Sequence, residues 1–191
     1  MDLIKLDEQI FLYLNGLGTT AWDSFWLIIT EKLTWIPLYL LFAWFIFKNF
    51  GLKVLYISIL TAGLLIFFTD QISHFYKDSL ILRLRPCYNE ELIDKMRLVK
   101  DTCGGKYGFF SGHASNHFAV AVFIGLIFRK FKWVLPVLLI WAAMIAYSRI
   151  YIGVHYPLDV LSGTLIGSLS GLLFYRIWQM ANHKLAINQI K

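Results

Sequence analysis

Val54–Thr69 reads VLYISILTAGLLIFFT, sixteen residues without a charge, and Asp70 follows at once. At about 1.5 Å per residue, a helix of that length covers roughly 24 Å of a hydrocarbon core near 30 Å thick. Four more charge-free stretches repeat the pattern: Leu33–Phe47, Tyr107–Phe128, Trp133–Ser148 and Val160–Tyr175. The 191 residues are 58% hydrophobic and 16% charged, against about 45–50% and about 25% in ordinary soluble domains. Five such runs leave too little polar surface to cover a soluble bundle. None alternates as a strand would, which argues against an outer-membrane barrel. The expected fold is all-α, a polytopic transmembrane helix bundle.

Outward from this core, the first fifteen residues place Leu3, Ile4, Leu6, Ile10, Phe11 and Leu14 near one helical face. That pattern predicts an amphipathic helix lying on the membrane surface. The N-terminus is acidic, with no small-residue cleavage site after a short apolar run, so no cleaved signal peptide is expected. Trp22–Thr30 is either a second interfacial piece or a shallow sixth span beside the five. The chain divides into an interfacial segment 1–32, a membrane-embedded domain 33–178 with an outward loop 77–111, and a tail 179–191.

Charge sets the expected orientation. The connections Lys48–Lys53 and Arg129–Lys132, with the tail after Tyr175, carry eight of the eighteen Lys and Arg and no acid. By the positive-inside rule these face the cytoplasm, and the acidic ends face outward. The net charge of +6 is then topogenic and calls for no nucleic-acid partner. Cys87 and Cys103 both fall in the outward loop, where an oxidising exterior or periplasm favours a disulfide closing about sixteen residues.

Ionisable groups at membrane depth are costly and usually functional. Here they gather at the outward ends of the spans: Asp70, His74, Lys77, then Arg83 and Arg85, then Ser111, His113 and His117, then Arg149, then His155 and Asp159. Lys77, Arg85 and Arg149 suit a phosphate, since guanidinium forks match its oxygens and lysine adds a point charge. One histidine can attack phosphorus while another protonates the leaving oxygen. In GVHYPLD, Gly153–Asp159, Pro157 is a natural first helical residue, which places His155 just before a helix and Asp159 in its first turn. Ser111 is a natural N-cap for the third span, and Gly112 allows an anion close approach to the free amides there.

These residues carry a resemblance. Ser148-Arg149-x5-His155-x3-Asp159 matches the third signature of the type 2 phosphatidic acid phosphatase family. Phe110-Ser111-Gly112-His113 resembles the second, with Phe for Pro, and Lys77-x7-Arg85-Pro86 resembles the first with one extra residue. The resemblance implies a metal-independent enzyme without cofactor, acting through a phosphohistidine. His155 would be the nucleophile, Asp159 its partner and His113 the general acid, with Lys77, Arg85, Arg149, Ser111 and Gly112 holding phosphate. An irregular turn before Pro86 would absorb the extra residue, and Arg83 competes with Arg85 for the second cation.

Other polar features have plainer readings. Asp70 and His74 are expected to pair structurally beside the site. His113 and His117 at i, i+4 make half a metal site with no third ligand. Gly163, Gly167 and Gly171 form a small-residue stripe for packing within the chain or, failing that, a homodimer seam. Trp22, Trp35, Trp133 and Trp178 read as interface anchors.

The expected activity is hydrolysis of a lipid phosphate monoester or diphosphate at the outer face of a bacterial inner membrane, the site facing periplasm or exterior. Candidate substrates are undecaprenyl diphosphate, phosphatidylglycerol phosphate, phosphatidic acid and lipid A phosphates, with the first and the glycerophospholipids favoured by family prevalence alone. The alternatives are a lipid phosphotransferase using the same intermediate and a non-enzymatic anion-binding or transport protein.

Overall fold

The computed structural model describes residues 2–187. Met1 of the predicted surface helix and residues 188–191 of the predicted tail lie outside the described residues. Six α-helices follow in order: α1 (Leu3–Gly16), α2 (Thr20–Thr30), α3 (Ile36–Phe75), α4 (Gly112–Ile127), α5 (Val134–Tyr151) and α6 (Pro157–Ile187).

α3 contains the first two expected spans. It breaks at Gly51, whose φ of 82° and ψ of 175° belong to a region open essentially to glycine. Its two arms run antiparallel: Tyr39 and Ile66, then Ile46 and Leu55 nearer Gly51, line one crevice of about 180 Å³. α5 and α6 match the fourth and fifth spans, α6 running on well past Tyr175. The third was expected from Tyr107, but α4 starts only at Gly112. Tyr107 instead pairs with Leu84 as an isolated antiparallel bridge, and the Gly108 amide donates to Arg83 O (2.9 Å). Those backbone bonds hold 107–108 out of the helix.

The bundle is apolar inside and out. Leu65, Phe123, Ala142 and Ile145 are fully buried at its centre, while Leu161, Leu165 and Leu169 stand mostly exposed one turn apart along α6. An outward apolar face of that kind is covered by lipid. The chain is an integral membrane protein. α2, eleven residues or roughly 16 Å long, falls short of a bilayer core. It lies against α5, Trp26 packing on Tyr147 and Tyr151.

α1 keeps apolar residues on its open side and docks onto the bundle by a second stripe that the apolar pattern did not mark. Its buried residues are Asp7, Phe11 and Asn15, whereas Leu3, Ile4 and Ile10 are exposed. Asn15 Nδ2 donates to Ile150 O (3.1 Å) and Tyr151 O (2.8 Å), and its Oδ1 accepts from the Arg97 amide (2.7 Å). Phe11 packs edge-on against Tyr156. A mixed polar and aromatic stripe therefore docks α1 onto the outward end of the bundle. The tryptophans divide similarly. Trp22 and Trp133 are exposed, but Trp35 Nε1 donates to Ile29 O (3.0 Å) and Trp178 Nε1 to Ser58 Oγ (2.9 Å).

The glycine stripe of α6 is taken up by α4. A Cβ at Gly163 would stand 2.5 Å from Ser111 O, one at Gly171 2.5 Å from Ala119 O, and one at Gly167 would collide with Ser115 O. Both partners step by four residues, so the helices meet backbone to backbone along a shared four-residue register. Gly167→Ala is expected to destabilise the fold by about 1–3 kcal/mol, read as a lower melting temperature in detergent. Gly63→Ala, where a Cβ meets nothing within 4 Å, should leave the melt unchanged or slightly raised.

Candidate active site

The ends of the helices set the site. The 3₁₀ turn Lys32–Trp35 leads into α3, α3 ends near Lys77, α4 opens at Gly112, α5 closes at Arg149, and α6 opens just after His155. All contribute to one cavity of about 360 Å³, lined among others by Lys77, Arg85, Gly112, His113, Arg149 and His155. The turn at Gly51 and the Phe128–Trp133 connection lie at the opposite end.

The first signature reaches the cavity through an irregular turn, as its length predicts. Tyr76–Leu80 is a π turn, closed by the Ile81 amide donating to Tyr76 O (2.9 Å). That i, i+5 bond absorbs the extra residue. The chain then runs extended through Arg85 (φ −68°, ψ 157°). Alternate residues of an extended chain share a face, so Arg83 and Arg85 both point toward the start of α6 but to different partners. Arg85 Nη1 lies 3.0 Å from His155 Nε2 and its Nε donates to Gly105 O (2.7 Å). Arg83 ion-pairs with Asp7 (2.7 Å) and Asp159 (3.3 Å) and does not line the cavity. Arg85 is the cation of the cavity.

His155 is held by three elements. Gly153, at φ 85°, turns the chain sharply out of α5. The Val154 and His155 amides donate back to Arg149 O (3.1 and 3.3 Å). Below, Asp159 Oδ2 accepts the Tyr156 amide (3.0 Å) and lies 3.4 Å from His155 Nδ1, the first-turn carboxylate reaching back as the local sequence predicts. A guanidinium can only donate, so Nε2 is the accepting nitrogen and Nδ1 carries the proton toward Asp159. Burial, with the cations Arg85, Arg149 and Lys77, holds the His155 pKa well below the ordinary histidine value. The ring is therefore neutral, with its Nε2 lone pair on the cavity side. In ¹⁵N-histidine-labelled protein, the imidazole signal that is lost in His155→Gln should remain in its neutral form well below pH 6.5.

Four cations line the cavity, Lys32, Lys77, Arg85 and Arg149, against one carboxylate, Asp70. Among the described residues, none of Lys77, Arg85 or Arg149 is in an ion pair. Arg149 is 7% exposed; Nη1 donates to Thr30 Oγ1 (2.6 Å), while its buried Nε has no protein partner among the described residues. Buried charge without a counter-charge is costly, and an anion in the cavity relieves it. Gly112 matters sterically: a Cβ there would stand 3.2 Å from Ser73 Oγ and 3.7 Å from Lys77 Nζ, narrowing the cation side of the cavity.

Of the other expected residues, Asp70 and His74 line the cavity and Ser111 does not. Ser111 is fully buried and caps α4, accepting from the Ala114 amide (3.4 Å), while its own amide donates to Asp159 O (2.9 Å). It joins α4 to α6 and does not line the cavity. Asp70 does not pair with His74. Its Oδ1 accepts from Asn116 Nδ2 (2.8 Å), an amide presented by α4, whose Oδ1 in turn accepts from Thr69 (2.6 Å). His117 Nδ1 donates to His113 O (2.7 Å), leaving His113 as the cavity-facing ring of the two without such a bond. Among the described residues, no three His, Cys, Asp or Glu side chains converge as metal ligands. Cys87 and Cys103 are joined, Cα–Cα 6.2 Å. Asp7, Thr30, Ser73 and Asn116 had no motif to mark them.

The chain is 38% identical over 176 residues to a lipid A 4'-phosphatase of Bacteroides thetaiotaomicron, covering 92% of this chain and 78% of that one. A lipid A 4'-phosphatase of Porphyromonas gingivalis is 32% identical over 186 residues, covering 95% and 77%. The crystal structure of a PAP2-type phosphatidylglycerolphosphate phosphatase from Bacillus subtilis superposes with a TM-score of 0.71 at 21% identity, covering 93% of this chain and 87% of that one. The family model of the PAP2 superfamily matches residues 52–183, the region that holds all three signatures. The chain belongs to the PAP2 superfamily.

Proposed function

We propose that this protein is a lipid phosphatase that removes a phosphate monoester from a lipid A-type glycolipid, at the outer face of a bacterial inner membrane. The observation that carries the phosphatase reading is the cavity itself: Lys77, Arg85 and Arg149, none of them in an ion pair among the described residues, line it together with a histidine whose Nε2 faces inward. The two lipid A 4'-phosphatases, matched over most of this chain, favour a glycolipid phosphate over the undecaprenyl and glycerophospholipid substrates expected on prevalence. Orientation rests on the charge asymmetry of the loops.

In this mechanism the phosphate displaces the Arg85 guanidinium from Nε2 and takes it onto an oxygen, with Lys77 and Arg149 on the others. Nε2 attacks phosphorus, an N–P bond forms, and the ester P–O bond breaks as His113 protonates the leaving sugar oxygen. Asp159 balances the positive charge on the phosphoimidazole. Water, deprotonated by His113, then breaks the N–P bond, releasing inorganic phosphate and restoring neutral His155.

The test is phosphate release by purified protein in detergent with EDTA, from lipid A, undecaprenyl diphosphate, phosphatidylglycerol phosphate and phosphatidic acid. Preferred release from lipid A, matched by one dephosphorylated lipid per phosphate, supports the proposal. Preference for a diphosphate overturns the substrate, and transfer of phosphate to a second lipid overturns hydrolysis. Loss of activity in EDTA overturns the metal-independent mechanism.

A further inference from the structure

α1 reaches the chemistry through Asp7. This carboxylate is 2% exposed, on the stripe of α1 that also buries Phe11 and Asn15. Its Oδ2 lies 2.7 Å from Arg83 Nη2, and its Oδ1 accepts the Leu158 amide (2.9 Å), one of the free N–H groups in the first turn of α6. Arg83 Nη1 then reaches Asp159 Oδ1 (3.3 Å), and its guanidinium carbon sits 3.9 Å from the Tyr156 ring centroid. The second oxygen of Asp159 is the one beside His155. A chain of alternating charge thus runs from α1 through Arg83 and Asp159 to the imidazole.

The order of charges has a consequence for His155. A bare guanidinium on Asp159 would bind its charge and weaken the support it gives to a cationic imidazole. Asp7 balances Arg83, so Asp159 keeps its negative charge directed to His155. The same carboxylate pins the amide of Leu158, and with it the first turn of α6 from which Asp159 projects. Neither Asp7 nor Arg83 lines the cavity, so neither belongs to the phosphate cradle.

We infer that Asp7 is a positioning residue: acting through Arg83, it sets the place and effective charge of Asp159 beside His155, and makes α1 part of the catalytic unit. This rests on the reading of His155 as the nucleophile.

Asp7→Asn retains an oxygen for the Leu158 amide but removes the charge opposite Arg83. The expected result is a kcat lower by about 10–100-fold with KM within about twofold, because the cavity cations are untouched. Arg83→Gln reads the same chain from its other end and should give a similar loss. The double variant should be no worse than the poorer single one, since coupled residues do not act additively. The inference is overturned if Asp7→Asn keeps the wild-type kcat, if only KM rises, or if the two losses multiply. His155→Gln is run alongside: if it retains activity, the nucleophile reading itself fails. If it is silent while Asp7→Asn is normal, only the present inference fails.

Discussion

His155→Gln is expected to lower phosphate release by at least about 10,000-fold, the scale seen when a covalent nucleophile is removed from a unit whose members act together. The loss follows from position. Nε2 faces the cavity with a lone pair held only by the displaceable Arg85 guanidinium, while the ring's other nitrogen lies beside the Asp159 carboxylate. Glutamine carries an amide of similar reach, but its nitrogen has no nucleophilic lone pair. The substitution sits in the loop between α5 and α6, whose turn is built by Gly153 and by backbone bonds to Arg149 O, so the fold should persist. Substrate binding measured by tritiated or fluorescent lipid should be retained, because Lys77, Arg85 and Arg149 remain. Undiminished turnover with the melt unchanged would remove the phosphohistidine mechanism altogether.

The second large effect is expected from His113→Gln, and its size should depend on the leaving group. General acid catalysis contributes about 10²–10⁴-fold, and it matters most when the departing oxygen is strongly basic. A sugar alkoxide needs the proton; a nitrophenolate hardly does. Lipid phosphate turnover should therefore fall through that full range, while p-nitrophenyl phosphate hydrolysis falls far less in its first step. With the aryl substrate the later water attack also lacks its base, so an acid-labile phosphoenzyme should accumulate, visible after rapid quenching with ³²P-labelled substrate. Equal losses on both substrates would assign His113 to binding and not to proton transfer. His117, locked by its bond to His113 O and set against Trp141, cannot turn to replace it.

The features legible in the sequence are those whose cause is local. Charge-free runs reported the spans because a helix crossing lipid must be apolar on every side. Ser111 as a cap and Asp159 reaching back to the start of α6 were readable because both bonds close within four residues. The one-residue excess between Lys77 and Arg85 implied an irregular turn, and the chain meets it with a single π turn. Gly163, Gly167 and Gly171 announced a close helix contact by their spacing.

What the sequence by itself determined, then, is a set of membrane helices with cations, histidines and a carboxylate gathered at one set of ends. Only the tertiary structure decided which of these side chains meet. Arg83 and Arg85 are two residues apart and chemically identical, and they differ only because Asp7, 76 residues away, arrives beside one of them. Asp70 turned from His74 to Asn116, 46 residues distant, and α1 docked by Asp7, Phe11 and Asn15 where periodicity pointed to its apolar face. The reason is the same in each case. Buried polar groups must be paired, their partners come from whichever element the chain path brings near, and that path is not encoded in local spacing.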